Sequence, residues 1–227
     1  MNKELAVCLV SGGMDSTVSA AIAATKYEVA FLHISYGQRT EKRELKAFRE
    51  ISEFYSVKRK LEITLSHFKD IGGSALTDLS IEVPEGKLSP SSQIPITYVP
   101  FRNAHFLSVA VSWAEIIGAR YIYIGATEVD YSGYPDCRGE FIEAFNKVIA
   151  LGTKPDTHIK IVAPLLRFKK SDVVKKGLEL KVPFELTWSC YKNEDVACGK
   201  CESCLLRLKG FKEAGVQDPI AYEDKMS

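Results

Sequence analysis

The sequence predicts an α/β fold: a doubly wound, all-parallel sheet covered by helices on both faces. Two observations carry this. Strand-like and helix-like segments alternate through the first two thirds of the 227 residues. The strand-like runs are too continuously apolar to have one wet face, which is the mark of strands buried on both sides. A third observation, four cysteines within fifteen residues near the C-terminus, predicts a small appended knuckle.

In chain order, residues 4–10 (ELAVCLV) read as a buried strand and 16–26 as an alanine-rich helix. A second strand follows at 28–36 (EVAFLHISY). Leu45, Phe48, Ile51 and Phe54–Tyr55 recur at the spacing of an amphipathic helix over 40–56. Residues 57–65 form a third strand. Residues 103–118 form a helix, with Asn103 placed to cap it and Gly118 to end it. Strands at 120–127 and 158–165 alternate with helices at 137–152 and 170–180. Residues 66–100 break this rhythm. Rich in Ser, Gly and Pro, they are expected to pass over the active site and to be flexible around 82–93. The division expected is an α/β domain over 1–185 and a metal-binding, helical tail over 186–227.

Composition narrows the function classes. Apolar residues make up 46% and charged residues 26%, as in ordinary soluble domains. The N-terminus has too short an apolar stretch for a signal peptide, and no run is long enough to span a membrane. The expectation is a cytoplasmic protein. A net charge of +1 lacks the basic excess that gripping a nucleic acid requires, and favours a small-molecule substrate.

Ligands of doubly wound sheets bind beyond the carboxyl ends of the strands, so the following loops hold the chemistry. The first is Ser-Gly-Gly-Met-Asp-Ser (11–16), between a buried strand and a helix. Glycines let phosphate oxygens approach the backbone, and N–H groups at a helix start bind anions. Ser11 and Ser16 add hydroxyl donors. Asp15 would repel a phosphate unless Mg²⁺ lay between them or the carboxylate capped backbone N–H groups. The loop lacks the Gly-Lys-Ser/Thr of a Walker A sequence and the Gly-x-Gly-x-x-Gly of a dinucleotide site. It resembles the PP-loop of the N-type ATP pyrophosphatases, which cleave ATP between its α and β phosphates and transfer AMP to an oxygen.

Cys190, Cys198, Cys201 and Cys204 are spaced C-x7-C-x2-C-x2-C among polar neighbours. Four thiolates suit a closed tetrahedral Zn²⁺ site, structural rather than Lewis-acidic, with an iron–sulfur cluster as the competitor. Cys8 reads as an inert core residue, and Cys137 as a small residue in a ligand-facing loop. The four histidines show no mutual spacing that suggests a site.

With TYVPFRN (97–103), GATEVDYSGYPDCR (125–138) and CESCLLR (201–207) in this order, nearly the whole chain resembles the 7-cyano-7-deazaguanine synthase family. The resemblance implies an adenine nucleotide alpha-hydrolase-like fold and a reaction of 7-carboxy-7-deazaguanine, ammonia and ATP with Mg²⁺ in queuosine biosynthesis, through adenylated carboxylate and amide. Carried over, Ser11, Gly12, Gly13, Asp15 and Ser16 would hold the ATP phosphates. Lys170 would stabilise their charge alongside Asp15, although Lys169 beside it offers a second register. Arg102 and Asn103, at a helix start, would read the deazaguanine or its carboxylate. Tyr134, Asp136 and Arg138 would bind the base. The four cysteines would hold zinc, and a homodimer is implied. Two other readings share the loop: another PP-loop ammonia ligase, and a tRNA-thiolating PP-loop enzyme.

Overall fold

The computed structural model describes residues 3–88, 93–128 and 133–223. Five parallel strands form one sheet: β1 (Leu5–Leu9), β2 (Glu28–Ser35), β3 (Arg59–Thr64), β4 (Tyr121–Tyr123) and β5 (Lys160–Val162). Their spatial order is β3-β2-β1-β4-β5. The direction of winding reverses between β1 and β4, which opens a crevice at their carboxyl ends.

Successive side chains of a strand point to opposite faces, and here both faces are buried. Ala6, Cys8 and Val10 pack with Phe31 against α1 (Met14–Lys26) and α2 (Glu41–Phe54). Val7 and Leu9 pack with Leu32 and Ile34 against α3 (Arg102–Ile117) and α4 (Gly139–Gly152). Two further helices, α5 (Lys170–Glu179) and α6 (Glu202–Glu213), pack on each other. No described helix is long and apolar enough to cross a membrane.

The predicted elements are present with shifted ends. The strands expected over 120–127 and 158–165 shorten to three residues each, because the chain leaves the sheet early to form the crevice. Gly118 ends α3 in the left-handed conformation, as its position suggested. Asn103 does not cap that helix. Phe101 is the N-cap, at φ +57°, and the cap comes from a distant loop: Asp136 Oδ2 accepts the Asn103 N–H at 2.9 Å.

Residues 66–100 are mostly irregular, apart from one short helical turn (His67–Ile71), but much of the segment is anchored. The Arg39 guanidinium donates to the carbonyls of Ala75, Asp78 and Ile81. Val83 is buried beside the cysteines, and Gly86 N–H donates to Lys200 O at 2.9 Å. Of the stretch expected to be flexible, 82–93, residues 89–92 lie outside the described residues.

Candidate active site and four-cysteine centre

The loop after β1 builds an anion cradle from its own groups. Gly12 holds φ +90°, and a Cβ there would meet the Glu44 carbonyl at 2.6 Å, so glycine is required. Ser16 Oγ accepts the Ser11 N–H at 3.2 Å and donates to Gly13 O at 2.9 Å. Ser11 Oγ accepts the Gly13 N–H at 3.2 Å. Gly13 is the N-cap of α1 and has no side chain to cover the helix end, where the dipole favours an anion. The loop after β4 must also come close: a Cβ on Gly125 would lie 2.6 Å from Ser16 N.

Of the two adjacent lysines, Lys170 is the one that faces the loop after β1. Its Nζ lies 2.7 Å from Asp15 Oδ2, and the side chain is 10% exposed. Lys169 is instead the exposed N-cap of α5, where its N–H donates to Asp172 Oδ2. Asp15 Oδ1 is buried with no hydrogen-bond partner among the described residues. An oxygen lone pair left open beside a phosphate cradle fits a hard cation such as Mg²⁺.

This cradle opens into a cavity of about 260 Å³ at the sheet crevice. Ser11, Gly13, Asp15, Ser16 and Lys170 line one end. Arg102, Asn103, Tyr134 and Cys137 line another part of the wall. Arg102 donates to the Tyr36 hydroxyl at 3.2 Å and lies over the rings of Tyr36 and Phe106, leaving its buried Nε without a partner. Asn103 Nδ2 donates to Asp136 O at 3.1 Å and contacts Cys137 Sγ at 3.2 Å. Burial pushes the Cys137 thiol up to about 11, so it stays neutral near pH 7. Tyr134 Oη pairs with Thr97 Oγ1 at 3.0 Å.

Among the described residues, Gly12, Asp136 and Arg138 do not line this cavity. Gly12 O accepts the Trp188 N–H, Asp136 holds the start of α3, and Arg138 is exposed at the start of α4. Residues 129–132 of the base-binding loop proposed from sequence lie outside the described residues.

Sequence reasoning missed a second wall. Trp188, Ser189, Tyr191 and Arg207, from the cysteine-rich tail, line the same cavity. Arg207 is 1% exposed and clamps the tail, donating to both Asp218 oxygens at 2.7 and 2.9 Å and to Thr187 Oγ1 at 2.7 Å. Glu44 on α2 was also missed. Its signal was present: it lies one turn before Ala47 and Phe48 on the buried face of an amphipathic helix, where a carboxylate is out of place.

The cysteine sulfurs of residues 190, 198, 201 and 204 are all buried and lie within 4.8 Å of one another. Backbone N–H groups of Lys192, Asn193 and Cys198 point at Cys190 Sγ from 3.3–3.4 Å. The neighbouring thiols of Cys201 and Cys204, followed by such N–H donors, hold Cys190 well below the ordinary thiol range. This donor set can bind a metal ion.

The model of the family described as "Queuosine biosynthesis protein QueC" matches residues 5–215. The chain is 60% identical over 223 residues to the 7-cyano-7-deazaguanine synthase of Chloroherpeton thalassium, covering 98% of each chain. It is 58% identical over 221 residues to that of Chlorobium chlorochromatii, covering 97% of this chain and 96% of the relative. Among solved structures, the U34-tRNA thiolase NcsA of Methanococcus maripaludis aligns with 92% of this chain and 65% of its own, at 19% identity and a TM-score of 0.49.

Proposed function

The chain belongs to the QueC family of queuosine biosynthesis proteins, and from that premise we infer that it converts 7-carboxy-7-deazaguanine and ammonia to 7-cyano-7-deazaguanine at the expense of ATP. The observation that carries this reading is one cavity lined both by the phosphate cradle with Lys170 and by the Arg102–Asn103–Tyr134 group.

The chemistry follows from what a carboxylate lacks. It is a poor electrophile, and AMP transfer turns one of its oxygens into a leaving group. Ammonia then displaces AMP and leaves an amide. A second AMP transfer, to the amide oxygen, lets that oxygen depart and leaves the nitrile. Both transfers need an oxygen in line with the α-phosphate, so one arrangement serves twice.

Ser11, Gly12, Gly13 and Ser16 would hold the phosphates through N–H and hydroxyl donors, and Lys170 would stabilise charge on the departing pyrophosphate. Asp15 would orient Lys170 through Oδ2 and hold Mg²⁺ through Oδ1. When bound, Mg²⁺ supplies further neutralisation of that charge. The Arg102 guanidinium suits the substrate carboxylate, and its unpartnered Nε–H supports the assignment. Asn103 and Tyr134 would face the base. Asp136 would act through Asn103 as a positioning residue.

We read the metal of the four cysteines as Zn²⁺. Four thiolates 2.3 Å from one zinc ion lie about 3.8 Å apart, close to the 3.9 Å between Cys198 and Cys204. An iron–sulfur cluster spreads its ligands over several iron atoms and needs a wider set. Metal analysis of purified protein should return about one zinc per chain and no stoichiometric iron. The family resemblance further implies a cytoplasmic homodimer, which mass measurement in solution tests.

The deciding experiment combines protein, Mg-ATP, ammonium and 7-carboxy-7-deazaguanine and identifies the products by mass. Nitrile with AMP and pyrophosphate is the expected result. Substrate-dependent ADP and phosphate would overturn the use of the loop, and turnover only with NAD⁺ precursors or tRNA would overturn the substrate.

A further inference from the structure

Ammonia brings three N–H bonds into this reaction and the nitrile keeps none. Three protons must therefore leave the nitrogen, and a carboxylate facing it would speed their loss. Of the described residues lining the cavity, two carry carboxyl groups, Asp15 and Glu44. Asp15 is engaged by Lys170 at the phosphate end. Burial keeps the Cys137 thiol neutral, and the Lys170, Arg102 and Arg207 side chains offer hydrogen-bond donors rather than acceptors.

Glu44 is placed and oriented for proton transfer. Gln38 Oε1 accepts the Tyr36 N–H at 2.9 Å, which fixes that amide with its Nε2 toward Glu44 Oε2, again at 2.9 Å. Thr40 Oγ1 donates to Glu44 Oε1 at 2.8 Å. Each carboxylate oxygen thus accepts one fixed bond and keeps a lone pair for a ligand. The Glu44 backbone rests on Gly12, so this helix turn abuts the phosphate loop. The start of α2 is itself held by the tail, through Glu194 Oε1 accepting the N–H groups of Lys42 and Arg43.

We propose that Glu44 is the general base of this reaction, a catalytic residue that takes the proton from ammonia as it adds to the adenylated carboxylate. The assignment rests on the reaction inferred above. The nitrogen lone pair forms the C–N bond, and the C–O bond to AMP breaks with its electron pair leaving on AMP. One N–H bond breaks with its pair staying on nitrogen, and the proton passes to a Glu44 oxygen. The products are amide, AMP and protonated Glu44, which returns its proton to water. After the amide oxygen is adenylated, the same carboxylate takes the two remaining N–H protons in turn while the second AMP departs.

The surroundings suit this role. Burial raises the Glu44 carboxyl from 4.5 to about 7, against the opposing hydrogen bonds of Thr40 and Gln38 and the charge of Arg102 on α3. Glu41 on its own helix adds a small upward push. A base poised near the working pH both accepts and releases protons readily.

The test compares two nucleophiles. Near neutrality ammonia is mostly ammonium, whereas hydroxylamine is mostly neutral and needs less help from a base. Glu44→Gln should lower amide and nitrile formation by about 100-fold while hydroxamate formation falls only a few-fold. With the rate divided by the free-ammonia concentration at each pH, it should also lose the inflection near pH 7 that Glu44 gives the wild type. Glu44→Asp, which keeps a carboxylate on a shorter arm, should retain more ammonia-dependent rate than Glu44→Gln, and guards against a glutamine variant that does not fold. Equal loss with both nucleophiles in both variants would overturn the proposal, as would an unchanged rate with ammonia. Wild-type protein making neither amide nor hydroxamate would instead overturn the reaction itself.

Discussion

At the residue scale, the two register-ambiguous lysines separate sharply. Lys170→Ala should cut AMP formation by about 10²–10³-fold, while Lys169→Ala, at an exposed helix cap, should leave the rate near wild type. Steady-state assays of AMP release check both. Arg207 carries a different burden. Removing it would leave the Asp218 carboxylate buried without its partner, so Arg207→Ala should cost about 3–5 kcal/mol in denaturant unfolding. Arg207→Lys should not restore this, because an ammonium cannot fork onto both carboxylate oxygens. Glu44 affects stability as well as rate. The folded chain binds its proton more tightly than the unfolded chain does, because burial raises its folded value to about 7. That contribution is complete below about pH 4.5 and is lost as pH rises through about 7. Glu44→Gln does not titrate, so its melting temperature relative to wild type should rise between pH 5 and pH 8.

At the element scale, the site depends on how close two helix starts come to the sheet. Gly125 lies two residues beyond β4, where any Cβ would press on the backbone of α1 at 2.6–2.7 Å. Gly125→Ala should destabilise the fold by about 1–3 kcal/mol and weaken ATP binding, read by melting and by nucleotide titration. The start of α3 is held by Asp136 from a loop 33 residues away. Asp136→Ala should cost about 1 kcal/mol for the lost cap. It should raise KM for the deazaguanine more than KM for ATP, because Arg102 and Asn103 shift while the phosphate loop does not.

At the scale of the whole molecule, the tail forms part of the cavity wall rather than a remote staple. Cys190, Cys198, Cys201 and Cys204 pack in one apolar cluster with Phe31 and Phe48 of the sheet domain, and the tail supplies Trp188, Tyr191 and Arg207 to the cavity wall. Removing a metal held by these four cysteines should therefore lower both melting temperature and nucleotide affinity, and restoring that metal should recover both. A lowered melting temperature with unchanged affinity would mean that the wall does not need the knuckle.

Much of this was legible in the residues themselves. Alternating periodicity shows parallel strands and covering helices because a strand buried on both faces must be apolar throughout. The loop at 11–16 and the four cysteines were legible as candidate anion and metal sites because such sites draw their ligands from short, contiguous runs, where local spacing is the geometry. What the tertiary structure alone decided are the contacts between distant segments. The partner of Asp15 lies 155 residues away, the cap of α3 comes from another loop, and Arg207 finds Asp218 only when the tail folds back. Glu44 acquires its raised value only once packing half-buries it against the rest of the fold. Sequence periodicity encodes which face of an element is buried, but not which distant polar group will meet it there, because that depends on the crossing of elements in space.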